Sequence, residues 1–198
     1  MEAHTAAGKL QGLSGDAVWY EAAFVVGITN AMNVVADSLE GVAAFPAVDD
    51  AGAAPDVMAL FADIRMFYDR SDVPVVFRLL AHDPAYLRDF FQAVCRAFGD
   101  RGLTRRLKEG LAFAVSVTTR SRFGAAFHLG EMRRLGVTER GVLEVLGVTQ
   151  MFSSYTKIAD TLQLEPDMGD IAAVDHSPAP GGSQPSTRNP EARSPEAP

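Results

Sequence analysis

The sequence predicts an all-helical protein, and three observations support this fold class. Apolar residues recur at the three- and four-residue spacing of helices along most of the chain, and almost no segment alternates with the period of two typical of a strand. A proline or a capping residue precedes several of these apolar segments. At 198 residues, of which 47% are hydrophobic, the chain is long enough for one domain with a buried core.

The first three helices are predicted from apolar runs and from one proline. Residues 16–40 form a long apolar run that ends near Gly41. Pro55 suits the first turn of a second helix, where its missing N–H has no partner to lose. The apolar residues that follow it at helical spacing are Val57, Leu60, Phe61 and Ile64. Residues 73–81 are predicted to form a short third helix.

The next two helices have capping residues at their predicted starts. Asp83 is predicted to cap the fourth helix, which Pro84 opens and Gly99 ends. The residues predicted to form its buried stripe are Leu87, Phe90, Phe91, Val94 and Phe98. Thr104 is a suitable cap for a fifth helix that runs to about Thr118. The residues predicted to lie on one face of this helix are Leu107, Leu111 and Val115.

The last two helices are separated by a glycine. A helix that begins near Ser121 is predicted to stop at Gly136, because glycine is a common C-terminal residue and basic side chains precede it. Thr138 is predicted to cap the final helix. Its apolar residues lie on nearly all sides and include Val142, Leu143, Val145, Leu146 and Val148. This distribution predicts that the final helix is central in the bundle.

Composition sets the predicted boundaries of the domain. Residues 1–15 are predicted to be flexible, residues 16–167 to form the helical domain, and residues 168–198 to be a disordered tail rich in proline and serine. The endings of two long apolar helices, residues 34–39 and 157–162, resemble each other. Two explanations stay open: chance, or that residues 16–41 are the remnant of the first half of a tandem repeat.

Charge and cysteine content exclude several classes of function. The net charge of -7 argues against nucleic-acid and anionic-membrane partners, which need clustered basic residues. The single cysteine, Cys95, cannot form an intramolecular disulfide, and this favours a cytoplasmic location. Cys95 lies in an apolar run, so we expect a buried apolar role for it. Neither a secretory signal nor a membrane span is predicted, and no spacing of histidines indicates a metal site.

Two polar residues are predicted to meet in the bundle. Glu109 lies about ten residues before the turn at 118–121, and His128 about eight residues after it. On two antiparallel helices they therefore reach similar heights, at about 1.5 Å per residue. A carboxylate beside an imidazole can orient it as a general base. Ser121, Gly124 and His128 are three and seven residues apart, which places them on one helical face.

The motif Glu109 … Ser121-x-x-Gly124-x-x-x-His128 resembles that of the AhpD-like/carboxymuconolactone decarboxylase family. In that family a glutamate precedes a C-x-x-C-x-x-x-H element by a dozen residues, so Ser121 and Gly124 occupy the two cysteine positions. Residues 60–65, 77–84 and 155–160 also resemble family segments, and the resemblance covers about residues 55–167. It implies an AhpD-like helical bundle that assembles as a homo-oligomer, and the apolar residues in 24–26 and 142–151 are compatible with a subunit interface.

The resemblance also implies which chemistry is absent and which is available. Because positions 121 and 124 carry serine and glycine instead of cysteine, we do not expect this chain to act as a cysteine-dependent peroxidase. The decarboxylase branch lacks the cysteine pair and acts on a small lactone acid without a cofactor. His128 would then be the general acid/base and Glu109 its orienting partner. Substrate-binding residues are predicted near them, with an arginine to hold a carboxylate: Ser121, Arg120, Arg122, Thr118 and Tyr155.

Two alternatives to this enzyme stay open. The chain is also compatible with a non-catalytic AhpD-fold protein that binds a ligand or assembles, in which Glu109 and His128 form a buried hydrogen-bonded pair. An open cavity beside His128 would favour the enzyme. A filled cavity would favour the non-catalytic protein. Residues 63–65 and 77–81 also resemble part of the helical 2-haloacid dehalogenases, although no catalytic aspartate can be assigned.

Overall fold

A computed structural model describes residues 9, 12–13 and 15–163, and within them it gives seven complete α-helices and no strand. The helices are α1 (Asp16–Leu39), α2 (Pro55–Tyr68), α3 (Val75–Leu80), α4 (Pro84–Phe98), α5 (Arg105–Thr118), α6 (Arg122–Arg134) and α7 (Glu139–Leu162). The predicted all-α fold class is confirmed. The predicted tail, 168–198, and most of the predicted flexible N-terminus lie outside the described residues. The chain forms one unit up to Ile158, and residues 159–163 belong to a second.

The predicted helix caps are present. The Asp83 carboxylate accepts hydrogen bonds from the first-turn N–H groups of Ala85 and Tyr86 at 3.1 and 3.0 Å. Thr104 Oγ1 accepts a longer hydrogen bond, 3.4 Å, from the N–H of Leu107 at the start of α5. Gly136, just after α6, has a φ of +77°, the left-handed conformation that favours glycine. These local signals fix where α4, α5 and α6 begin or end.

An apolar core joins α1, α2, α3 and α4. The predicted stripe of α4 is buried in full, and it packs against aromatic side chains of α2 and α3. The rings of Phe77 and Phe91 meet edge to face at 5.8 Å, as do those of Phe67 and Phe91. Each such buried side chain stabilises the fold by about 1.5–3 kcal/mol.

Leu107, Leu111 and Val115, which share one face of α5, do not form its buried face. Leu107 is 43% exposed, and Leu111 and Val115 are only partly buried. The face that is buried consists of Lys108, Glu109, Gly110, Ala112, Phe113 and Ser116. Its polar side chains find partners on α1, α6 and the loop after α4, so they can be buried without the loss of hydrogen bonds. Apolar spacing alone does not anticipate such paired burial.

The prediction that the final helix is central in the bundle is wrong. Among the α7 residues only Val142 is buried, where it packs with Phe113 and Met132. The large apolar side chains of α7 that are exposed within the first unit are Leu143, Val148, Met151, Phe152, Tyr155 and Ile158. A helix with apolar residues on all sides needs cover on all sides, and the described residues of one chain supply it on one side only. The predicted homo-oligomer stays a prediction.

α1 combines an apolar exterior with a polar interior face. By length and composition it could cross a membrane, with a mean hydropathy of 1.4 over an 18-residue window of which 28% is buried. Core helices and N-terminal signal sequences pass the same test. In this fold α1 packs against α3, α4, α5 and α6 and buries the polar side chains of Thr29 and Asn33. The predicted absence of a membrane partner stays a prediction.

Candidate functional site

Glu109 and His128 meet in the interior of the bundle. α5 and α6 run back to back from the turn at residues 119–121, so the two side chains reach the same height, as their spacing predicts. His128 Nδ1 lies 2.7 Å from Glu109 Oε2, and both side chains are 0% exposed. A carboxylate can only accept a hydrogen bond, so Nδ1 carries the proton. In the neutral form of this imidazole the free lone pair is on Nε2.

The second nitrogen of this imidazole has no hydrogen-bond partner among the described residues. His128 Nε2 is buried and unpaired, although most buried polar atoms in proteins are paired. The imidazole stacks on Phe98 with ring centroids 5.8 Å apart, and it meets the edge of Phe127 at 5.1 Å. An oriented imidazole with an unpaired Nε2 in an apolar setting can take up or give a proton at that atom.

Arg105 completes the environment of the carboxylate. Its Nε donates to Glu109 Oε1 at 2.6 Å, across one turn of α5. Its guanidinium carbon lies 4.6 Å from the ring centroid of Phe67 and 5.1 Å from that of Phe98. Its Nη2 is buried without a hydrogen-bond partner among the described residues, with Glu131 Oε2 3.9 Å away. Glu109 is thus held between an arginine and a histidine, and one arginine donor remains free.

Tyr68 contributes a third unpaired polar atom. Its ring meets the edge of Phe127 at 5.2 Å, and the guanidinium of Arg105 lies 5.3 Å from its centroid. The hydroxyl is buried and has no hydrogen-bond partner within the described residues. Burial, together with the charge of Glu109, raises the pKa of Tyr68 well above its ordinary value of 10.0, so the phenol stays protonated and can donate. We refer to Tyr68, Arg105, Glu109 and His128 as the buried cluster.

The sequence reasoning missed Arg105 and Tyr68. Arg105 had a readable signal, because it lies four residues before Glu109 and such pairs share a helix face. Glu131, also missed, lies three residues after His128 and accepts a hydrogen bond of 2.8 Å from Arg134. Tyr68 had no local signal, because its place in the cluster depends on how α2 packs on α5 and α6.

Ser121 and Gly124, the two positions that match the family's cysteines, both make close contacts within the fold. Ser121 is nearly buried, and its hydroxyl accepts a hydrogen bond of 3.0 Å from the N–H of Gly124. Asn33 of α1 fills the space in front of Gly124: a Cβ added there would lie 2.0 Å from Asn33 Oδ1 and 2.4 Å from Ser116 Oγ. Asn33 Nδ2 is fixed by hydrogen bonds to Ser116 Oγ at 3.1 Å and Thr119 Oγ1 at 3.2 Å.

The other predicted substrate-binding residues are not gathered around His128. Thr118, Arg120, Arg122 and Tyr155 are all exposed. The Thr118 hydroxyl donates to carbonyls of its own helix at 2.8 and 3.0 Å. Thr118 and Arg122 are nine and six residues from Glu109 and His128, which corresponds to roughly 13 and 9 Å along their helices. Their proposed roles in binding stay predictions.

Cys95 lies close enough to the buried cluster for its thiol to interact electrostatically with Arg105 and Tyr68. It is partly buried and lines a cavity of about 360 Å³ together with Leu60, Asp63, Arg88, Phe91 and Gln92. Burial raises the pKa of its thiol, which disfavours the reactive thiolate. No group of three or more histidine, cysteine or acidic side chains with the geometry of a metal site occurs in the part of the chain that the structure covers.

A second buried ion pair adjoins the cluster. The Lys108 side chain is fully buried, donates to Gly99 O at 2.5 Å and pairs with Glu21 of α1. Burial by itself would raise the pKa of Glu21, but the hydrogen bond and charge of Lys108 and the N–H groups of Leu103 and Gly102 outweigh it. The pKa of Glu21 therefore lies below its ordinary value of 4.5.

Replacing Lys108 with methionine is expected to lower the free energy of unfolding at pH 7 by about 2 kcal/mol. The loss in the free energy of unfolding would be larger for a fully buried ion pair, but Glu21 retains some contact with solvent. A carboxyl group with a lowered pKa stabilises the fold above its unfolded pKa, and this contribution disappears as the pH falls through the folded pKa. The difference between wild type and Lys108→Met should therefore shrink below about pH 4. Urea unfolding at pH 7 and at pH 3 measures it, and an equal difference at both would contradict the role of Glu21.

Known proteins share this fold and part of this sequence. The family model "Carboxymuconolactone decarboxylase family" matches residues 84–164, which include both members of the Glu109–His128 pair. The crystal structure of the alkylhydroperoxidase AhpD core from Rhodospirillum rubrum is similar, with 27% sequence identity and a TM-score of 0.62. The similarity covers 67% of this chain and 100% of that one. No curated protein matches the chain significantly.

Proposed function

Because the chain is an AhpD-like member of the carboxymuconolactone decarboxylase family, we propose that it acts on a small organic acid or lactone by acid–base chemistry at His128. One observation carries the proposal: Glu109 orients the imidazole through Nδ1, and Nε2 is left buried and unpaired. A structural histidine in an apolar interior would normally satisfy both nitrogens. Glu109 stabilises the imidazolium that forms when Nε2 takes a proton.

Decarboxylation of a lactone acid illustrates the chemistry. The bond between the ring carbon and the carboxylate breaks, CO₂ leaves, and the electron pair stays on the substrate as an enolate. Protonated His128 then gives its Nε2 proton to the substrate carbon, and solvent restores the proton to the imidazole. A general acid of this kind contributes about 10²–10⁴-fold to a rate. Neither a thiol nor a cofactor takes part in this sequence of steps.

Two other atoms of the buried cluster suit the developing negative charge. Arg105 Nη2 and the Tyr68 hydroxyl are donors without partners, and both residues contact rings that also contact His128. In this proposal they donate to the lactone oxygen on which the enolate charge develops, where buried donors are most effective. This role differs from the one suggested for Arg120 or Arg122, which was to hold a substrate carboxylate.

A non-catalytic role is the second candidate, and the burial of the pair favours it. Glu109 and His128 are fully enclosed, and they line neither the cavity beside Cys95 nor the larger one described below. Catalysis therefore requires that Phe98 or Phe127 move to admit a substrate to Nε2. In a binding or assembly protein no such movement is needed, and the pair would serve to specify one packing of α5 on α6.

The test is turnover of a panel of carboxylated lactones and small organic acids by wild type, His128→Ala and His82→Ala. His82 is a matched control, because it hydrogen-bonds the carbonyl of Pro46 in a surface loop at 2.7 Å. We expect kcat/KM to fall about 10²–10⁴-fold in His128→Ala and to change less than about twofold in His82→Ala.

Three results would change the assignment. Turnover that survives in His128→Ala would exclude the imidazole as the acid–base group. The absence of both turnover and binding across the panel would favour the non-catalytic candidate. Release of chloride from 2-chloropropionate would support the dehalogenase-like alternative, so this acid belongs in the panel.

A further inference from the structure

A cavity lies away from the buried cluster, between the first half of α1 and the end of α4. It has a volume of about 700 Å³, within the range of about 300–1,000 Å³ typical of small-molecule sites. The residues that line it include Tyr20, Glu21, Phe24, Arg96, Arg101 and Gly102. No residue of the buried cluster lines it, so its ligand does not depend on the proposed function. We propose that this cavity, the α1–α4 cavity, binds a small aromatic carboxylate.

Two guanidinium groups give the cavity its preference for an anion. Arg96 lies over the ring of Phe24, 5.9 Å from the centroid, and forms no salt bridge with a carboxylate in the described chain. Arg101 likewise has no carboxylate partner within the described residues. Other arginines pair with acids, as Arg65 and Arg78 both do with Asp50. An unpaired guanidinium offers parallel N–H donors that match a carboxylate.

The one acidic side chain of the cavity does not cancel this charge. Glu21 pairs with Lys108, and its Oε2 accepts a hydrogen bond of 3.2 Å from the N–H of Leu103. Its position is further limited by Gly102, where an added Cβ would lie 2.9 Å from Glu21 Oε2. The carboxylate is therefore fixed to its own partners, and the arginines remain available to a ligand.

Two aromatic rings give the cavity its preference for a planar ligand. Tyr20 and Phe24 are four residues apart on α1, so they lie on the same face of that helix. Tyr20 is 78% exposed and Phe24 is 38% exposed, so neither ring is fully packed into the core. Aromatic faces of this kind hold a ligand ring by offset stacking or edge contacts. A ring between these residues with its carboxylate toward Arg96 and Arg101 satisfies both features.

Isothermal titration calorimetry with 2-naphthoate tests the proposal. We expect binding to the wild type, and at least about tenfold weaker binding to the double variant Arg96→Gln/Arg101→Gln. Arg106→Gln is the matched control, because Arg106 is an exposed arginine of α5 that does not line the cavity, and it should bind as the wild type does. Tyr20→Leu should also weaken binding. His128→Ala should leave it unchanged, which separates this site from the proposed acid–base site.

Related compounds identify what the cavity recognises. Naphthalene-2-carboxamide keeps the ring without the charge, and inorganic phosphate keeps a charge without the ring, so both should bind at least about tenfold more weakly than 2-naphthoate. The proposal is overturned if 2-naphthoate fails to bind the wild type at millimolar concentration, or binds the double arginine variant equally well. It is also overturned if the amide or phosphate binds as tightly as the acid. Circular dichroism verifies that each variant keeps its helices.

Discussion

Replacing Glu109 with alanine is expected to lower the free energy of unfolding by about 3–5 kcal/mol, because it leaves two interior hydrogen-bond donors, one of them on a charged guanidinium, without their acceptor. Arg105 Nε and His128 Nδ1 both direct a hydrogen bond at this carboxylate, at 2.6 and 2.7 Å. Neither donor has another partner in the described structure, and both lie in the interior. Urea unfolding monitored by circular dichroism measures the loss.

The informative companion to this variant is His128→Leu. Leucine removes the unpaired Nε2 and fills the space between Phe98 and Phe127, while Glu109 keeps its hydrogen bond to Arg105. We therefore expect a change of less than about 1 kcal/mol, or a gain, as is typical of a side chain kept for function rather than for stability. A loss of more than about 2 kcal/mol would instead identify the imidazole as structural and favour the non-catalytic candidate.

Gly124→Ala is expected to cost about 3 kcal/mol of stability, because the new methyl group would overlap a side chain that cannot withdraw. The nearest atom, Asn33 Oδ1, would lie 2.0 Å away, and the Asn33 side chain is buried and tied to Ser116 and Thr119. Asn33→Ala alone should cost about 1 kcal/mol through its lost hydrogen bonds.

The double variant Asn33→Ala/Gly124→Ala tests the cause. Shortening Asn33 makes room for the methyl group, so the two changes together should cost at least about 2 kcal/mol less than the sum of the single changes. Additive costs would show that the strain at Gly124 arises elsewhere. Gly130→Ala serves as the control for the effect of alanine in α6, because a Cβ there meets nothing within 4 Å.

The sequence predicts best what depends on neighbours in the chain. The caps at Asp83 and Thr104 and the buried stripe of α4 follow from spacing within one or two turns, and all are present. The meeting of Glu109 and His128 is predictable for the same reason, because one short turn fixes the relative height of α5 and α6. Such inferences need no knowledge of how distant helices pack.

What the sequence does not reveal depends on helices far apart in the chain. Asn33 and Tyr68 come from α1 and α2, and their contacts with residues of α5 and α6 exist only once these helices are packed together. The buried face of α5 cannot be read from apolar spacing, because its charged residues are paired across helices, as Lys108 is with Glu21. The position of α7 was predicted wrongly, because apolar residues on all sides of a helix do not show whether the same chain or another copy covers them.

The contact between Asn33 and Gly124 limits how a dithiol could be engineered into this fold. A cysteine at position 124 would place its Cβ 2.0 Å from Asn33 Oδ1, so it does not fit while asparagine occupies position 33. A dithiol at positions 121 and 124 therefore requires a third substitution, to a shorter residue at position 33.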